Sequence, residues 1–238
     1  MINQNKRNKF LVSTLLIVFL IGMLCFTFIT GAWFRDTKST SGTITFANAV
    51  TLAYENMVSE TEGGSTLFLL PKGQTTTNDG ILADSVRPGD EVVFENPVVY
   101  AAVNSSDFYL RVKITYTGSK VTVGESDFDL INQGPVFSEE WGKGKESSDG
   151  SFYMYYKGSK AITGSDVDDF SELEVVSYSA ENLKKIKLFS SSAEDVYLGS
   201  KIVLSDFSTK PDADLKIQIE FEALQATENA VVSQWFTV

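Results

Sequence analysis

The residues able to do chemistry are few and scattered. The chain has 238 residues, no histidine and one cysteine, Cys25. Without imidazole there is no Ser-His-Asp or Cys-His nucleophile system, no HExxH zinc protease and no common imidazole metal site. One thiol makes neither an internal disulfide nor a thiolate zinc cluster. Carboxylates remain. Glu139-Glu140 are adjacent acids in a Gly/Lys-rich stretch, a setting that favours solvated side chains over a paired acid and base. Asp166-Val167-Asp168-Asp169 and Asn78-Asp79 lack the spaced ligand pattern of a calcium loop. Asn104-Ser105-Ser106 matches a three-residue glycosylation sequon, a weak signal by itself. Trp141, beside Gly142, is either a sugar-stacking platform or, more commonly for such a residue, a partly buried loop anchor. No glycine-rich phosphate loop leads from a strand into a helix. The expectation is a non-catalytic protein with no catalytic residues, no metal site and no cofactor.

Charge narrows the partners. The chain has 20 Lys+Arg and 31 Asp+Glu, a formal charge of −11. That balance argues against nucleic acid, where affinity comes from clustered cations. A hydrophobic content of 43% with 12% aromatics is enough to build a core.

The first 32 residues follow a different logic. Lys6, Arg7 and Lys9 precede an uncharged apolar run from Phe10 to Ile29, and Thr30-Gly31-Ala32 then supply small residues. A basic start, an apolar run and a small-residue exit read as a secretory signal helix. Twenty residues at about 1.5 Å each also span a bilayer, so an uncleaved anchor is the alternative. Cys25 lies inside the run, preceded by Met23-Leu24 rather than by the small residues of a lipoprotein signal. Cutting after Ala32 leaves 206 residues, no cysteine and a charge of −14, because the removed segment carries three cations and no acid. The acidity then belongs to an exported surface, where it serves solubility.

The remainder alternates. Ile44, Phe46, Val50 and Leu52 share one parity. Phe108, Leu110, Val112, Ile114 and Tyr116 do so with Arg111, Lys113 and Thr115 between them. Phe152, Met154 and Tyr156 repeat it, and Leu215, Ile217, Ile219, Phe221 and Ala223 oppose Lys216, Gln218, Glu220 and Glu222. Period two means strands with one face in the core. Weaker strand candidates are 66–70, 91–95, 173–178 and 201–205, with turn clusters at 73–80, 87–90, 142–150 and 157–166. Leu183, Ile186 and Phe189 at helical spacing predict one short helix over 181–189. The expected fold is all-β, an antiparallel two-sheet sandwich of jelly-roll type with eight or nine strands and one short helix, preceded by the signal helix. The expected organisation is a signal peptide at 1–32, an N-terminal arm at 33–42 and one domain at 43–238.

Three short motifs carry a resemblance. Gly31-Ala32-Trp33-Phe34-Arg35-Asp36-Thr37, followed by Ser41-Gly42-Thr43-Ile44, resembles the export junction of the TasA/camelysin family of Gram-positive secreted proteins. Val86-Arg87-Pro88-Gly89-Asp90 is similar to that family's turn opening a strand. Ile219-Glu220-Phe221-Glu222-Ala223-Leu224-Gln225-Ala226 is similar to its near-terminal Phe-Glu-Ala-x-Gln strand. The middle of the chain, 119–200, shows no such match. The resemblance implies cleavage between Ala32 and Trp33 by a dedicated SipW-type signal peptidase. It also implies secretion to the extracellular matrix or cell surface, and a homopolymer that forms biofilm matrix fibres, alone or with other matrix proteins. Assembly in that family is by donor-strand exchange, which assigns Trp33, Phe34, Asp36 and Thr37 to the assembly arm. Pro88, Gly89, Asp90, Phe221, Glu222, Ala223 and Gln225 would be structural. Some camelysin-like relatives are described as proteases, and the missing histidine argues against carrying that activity over. The alternatives are a monomeric, membrane-anchored or cell-surface adhesin and, more remotely, a carboxylate hydrolase or camelysin-like peptidase.

Overall fold

The structure, a computed structural model, describes residues 41–46, 50–59, 66–69, 71–72, 87–118, 120–123, 126–146, 151–206, 215–226, 231 and 234–236. The chain divides into two units, Met1–Lys38 and Ser39–Val238, and all described residues belong to the second. The apolar run, the Ala32–Trp33 junction, the arm residues Trp33, Phe34, Asp36 and Thr37, and Asn78-Asp79 lie outside the described residues. Among those described, no helix is long and apolar enough to cross a membrane.

The fold is mostly antiparallel β-sheet with almost no helix. In chain order the strands are β1 (Ser41–Phe46), β2 (Val50–Glu55), β3 (Met57–Ser59), β4 (Thr66–Leu69) and β5 (Glu91–Val93). There follow β6 (Val98–Ala101), β7 (Phe108–Thr117), β8 (Lys120–Val123), β9 (Ser126–Asp129) and β10 (Ile131–Gln133). The last five are β11 (Trp141–Glu146), β12 (Phe152–Tyr156), β13 (Ile186–Lys187), β14 (Lys201–Leu204) and β15 (Lys216–Gln225). A six-stranded sheet has the order β11-β12-β7-β15-β4-β3. A four-stranded sheet runs β1-β2-β6-β13, a three-stranded one β10-β14-β5, and β8-β9 form a hairpin.

Alternation explains the longest elements. β7 buries Phe108, Leu110, Val112 and Ile114 and turns Tyr109, Arg111, Lys113 and Thr115 to its other face. β15 does the same with Ile217, Ile219, Phe221 and Ala223. Their ten-residue ladder, from Lys216↔Thr117 to Gln225↔Phe108, is the spine of the six-stranded sheet. Inner residues of this sheet join Leu52, Tyr54 and Val99 of the four-stranded sheet and Ile202 and Leu204 of the three-stranded one in a single apolar core.

A second apolar cluster forms on the opposite face of the six-stranded sheet. Tyr155, Val167, Leu173 and Val231 are buried there, with Tyr109, Tyr153, Leu224, Trp235 and Phe236 packed around them. Asn96 is the principal buried polar joint. Its side chain donates to the Phe189 carbonyl at 2.9 Å and accepts from the Phe189 N–H at 3.1 Å, while its own carbonyl takes the Asn56 amide at 2.9 Å. A buried amide with its bonds made holds loops in one arrangement.

Four expectations need correction. Residues 181–189 are not helical: Ile186-Lys187 pair with Val99 and Val98 as β13. Ile186, Leu188 and Phe189 are buried, whereas Leu183, the first anchor of the supposed helical stripe, is 41% exposed. Burial alternates over Ile186, Lys187 and Leu188, and tertiary pairing overrides the helical spacing. Within 142–150, residues up to Glu146 belong to β11 rather than to a turn. Gly142 and Gly144 mark close approach, since a Cβ on Gly142 would lie 2.5 Å from Val167 Cγ2. Residues 173–178 make one isolated bridge, Val176↔Phe108, and no strand. Fifteen strands, not eight or nine, appear among the described residues, because several are pieces of two to four residues. Among the described residues, helix is confined to a 3-10 turn, Phe170–Glu172, and to residues 231 and 234–235.

Phe221 is 1% exposed at the centre of the spine. Phe221→Ala is expected to destabilise the fold by about 3–5 kcal/mol, against at most about 0.5 kcal/mol for Glu220→Ala on the other face. Urea unfolding followed by circular dichroism measures both.

Candidate functional site

Three places combine geometry with exposed or strained groups. The first is the turn ahead of β5. The Arg87 N–H donates to Asp90 Oδ2 at 2.7 Å, and the Asp90 N–H donates to the Arg87 carbonyl at 3.1 Å. Gly89 has φ +76°, a left-handed value that glycine adopts without strain. Leu204 N–H donates to the Asp90 carbonyl and Gly89 N–H to the Ser205 carbonyl, so the turn is stitched to the end of β14. Pro88, Gly89 and Asp90 thus set the entry of β5 and contain no reactive constellation.

The second is the start of the domain. Ser41 and Gly42, expected in the arm, are the first two residues of β1. β1 pairs with β2 from Phe46↔Val50 back to Ser41↔Glu55. Glu55 is the last residue of β2. Asn56, at φ +64°, then turns the chain into β3 of the six-stranded sheet. β1 is an edge strand, and no further strand pairs with its outer side among the described residues. Such an edge is a template for another strand.

The third is on the outer face of the six-stranded sheet. Register places Arg111 of β7 opposite both Glu222 of β15 and Tyr155 of β12. The guanidinium reaches Glu222 Oε2 through Nη2 at 2.6 Å and Nε at 2.9 Å, and donates from Nη1 to the Tyr155 hydroxyl at 3.1 Å. Its Cζ lies 4.3 Å from the Tyr153 ring centroid and 4.7 Å from that of Trp235. Phe236 stacks on Tyr155 at 5.6 Å. Burial, followed by the Glu222 charge, raises the Tyr153 hydroxyl above its ordinary range. A planar guanidinium fits this combination of carboxylate and aromatic faces, where an ammonium would not. Glu222 and Ala223 of the near-terminal motif therefore face opposite ways: Glu222 holds Arg111, Ala223 and Phe221 fill the main core, and Gln225 ends the ladder opposite Phe108.

The remaining candidates scatter. Trp141 is 4% exposed, and its Nε1 donates to the Lys187 carbonyl at 2.9 Å. It is a core residue of a strand, so neither a sugar platform nor a loop anchor describes it. Glu140 sits in a turn whose carbonyl accepts from Lys157 and Gly158 N–H. In the acidic stretch, Val167 is buried, Asp169 caps the 3-10 turn through Ser171 N–H at 2.7 Å, and Asp168 N–H donates to Glu172. Among the described residues no three His, Cys, Asp or Glu residues cluster as metal ligands. Asn104 occupies an exposed turn at φ +64°. Sequence reasoning missed Arg111, Tyr153, Tyr155 and Trp235 as a group. Its only trace was a cation in the polar parity of β7 and an acid in that of β15.

No family model, no curated protein and no solved structure matches this chain.

Arg111→Ala is expected to cost about 1–2 kcal/mol, since Glu222 is left partly buried without its partner. Trp235 loses its cationic cover, so tryptophan emission shifts to the red while buried Trp141 is unchanged. Fluorescence combined with urea unfolding reads both.

Proposed function

We propose that this chain is a secreted, non-catalytic structural subunit that polymerises into extracellular matrix fibres by N-terminal donor-strand exchange. The observation that carries the reading is the exhaustion of β2. Ser41 takes Glu55, the last residue of that strand, and Asn56 then diverts the chain to the other sheet. β2 itself therefore offers no residue beyond Glu55 for a longer strand to pair with. An arm that overruns its own sheet suits a neighbour's edge, where strand addition satisfies both backbones.

The layers support the same reading. β2 packs against β15, and Trp141 of β11 bonds to Lys187 of β13, contacts between sheets that support a two-sheet sandwich of jelly-roll type. On the β13 and β11 side, Ser138 N–H donates to the Leu188 carbonyl and Val167 N–H to the Lys143 carbonyl, so loops occupy those edges. The opposite flank carries β1 and β3. Trp33 and Phe34 are the apolar anchors of the arm, and Asp36 and Thr37 part of its polar remainder. A head-to-tail contact that does not close gives a filament. The resemblance to the TasA/camelysin family supports cutting at Ala32–Trp33 by a SipW-type peptidase, and other matrix proteins as further partners. The non-catalytic part of the reading rests on the composition, which lacks histidine altogether.

Electron microscopy of residues 33–238 beside residues 41–238 tests this, because the shorter form keeps β1 whole. Fibres from the longer form and monomers from the shorter are expected; monomers from both at every salt and pH overturn the polymer. Mass measurement of the secreted protein is expected to give a start at Trp33. A start at Met1 would instead favour an anchored surface protein held by Phe10–Ile29.

A further inference from the structure

We propose that residues 162–168 form an acid-released plug on the outer edge of β11, latched by the Glu172 carboxylate. This goes beyond the fibre reading and does not depend on the N-terminal arm. The six-stranded sheet ends at β11, whose inner side is taken by β12. Its outer side is met by Val167, whose N–H donates to the Lys143 carbonyl at 2.7 Å and whose side chain lies against the Cα of Gly142. Val167 is thus a one-residue imitation of a seventh strand. It hides a backbone acceptor that an edge otherwise offers to any strand.

The limb bearing Val167 is held at both ends by one side chain. Glu172 is buried and accepts from Thr163 N–H through Oε1 at 2.7 Å and from Asp168 N–H through Oε2 at 3.2 Å. The two donors bracket Val167, so a single carboxylate spans the limb. An ionised carboxylate only accepts, which suits two N–H groups; a protonated one carries a hydroxyl that confronts one of them. Bonding to Thr163 N–H holds the Glu172 carboxyl below its ordinary value near 4.5. A carboxyl depressed in the folded state contributes stability above its unfolded value, and that contribution is lost as pH falls through the folded value. The latch is therefore intact at neutral pH and opens only as pH falls through the lowered folded value, below the ordinary carboxylate range.

The surrounding charges act differently. Lys160 Nζ donates to the Ser171 and Leu173 carbonyls. These bonds tie the 171–173 limb independently of the Glu172 carboxylate. Glu174 accepts from Ser159 N–H and Lys184 Nζ, and Lys184 also pairs with Glu140. Burial opposes ionisation of Glu174, but Lys184 and Ser159 outweigh it and hold its carboxyl below the ordinary range, so this tie weakens in the same window. Asp169, bonded to Ser171 N–H, is lowered too and caps only the 3-10 turn. On the β11 side the plug meets the Lys143 backbone and the apolar Tyr155 cluster, where burial of Val167 opposes release.

Amide hydrogen exchange of the full chain, resolved by residue and expressed as protection factors, tests the plug. Between about pH 7 and about pH 3, Thr163, Val167 and Asp168 are expected to lose protection by about tenfold or more while β7 and β15 keep theirs. Glu172→Gln is expected to show the loosened limb at both pH values, with its pH response gone. Equal Val167 protection at both pH values overturns the proposal, as does a loss that occurs only together with β7 and β15. Should Glu172→Gln fail to fold, the wild-type titration decides alone.

Discussion

The antiparallel pairing of β7 with β15 is the constraint on which the rest of the structure depends. Ten consecutive residue pairs hold these strands in one register, and a slip of one position would move every apolar side chain to the wrong face. Because the register holds, Val112 and Phe221 meet in the main core, while Arg111 and Glu222 meet on the outside. The two faces are thus coupled through one backbone ladder. β12 and β4 add to its two sides, and β11 and β3 to theirs, so the position of each edge follows from the centre.

Both faces of this sheet being covered is a less common use of an antiparallel sheet, which often leaves one side to water. Here the outer cover is modest in size and mixed in chemistry. Aromatic rings supply area, and the Arg111 guanidinium fills the space between them while its charge is answered by Glu222. The arrangement lets a charged pair sit under a partial apolar cover without an unsatisfied donor on the Nε or Nη atoms that face Glu222 and Tyr155.

Legibility in the sequence followed the strength of alternation. β7 and β15 were readable because apolar and polar residues change places at every step for ten residues. β4, β5 and β14 were readable as short apolar runs between turn residues. β11 was not, because Gly142, Lys143, Gly144 and Lys145 have turn composition and become a strand only through pairing with β12. β13 was misread because Ile186 and Leu183 satisfy a helical spacing by coincidence, and only the partner Val99 decides the matter. The turn at Pro88-Gly89-Asp90 was legible from its residue types alone. The outer cluster was not: Arg111, Tyr153, Glu222 and Trp235 are separated by up to 124 positions, and no local pattern announces that they share a site. Asn56 and Asn96 belong with them. An asparagine in a left-handed turn and another buried between loops look alike until the contacts are known.

The ladder also orders events in time. β7 ends at residue 117 and its principal partner begins at residue 216. A ribosome delivers the chain from its first residue onward, so β7 emerges long before β15 exists. During that interval β12 is the sole ladder neighbour β7 can find, and the main core lacks Ile217, Ile219 and Phe221. Contacts of such long sequence separation close slowly, because loop entropy is lost before they reward it. The nascent chain therefore keeps an open core until β15 is made.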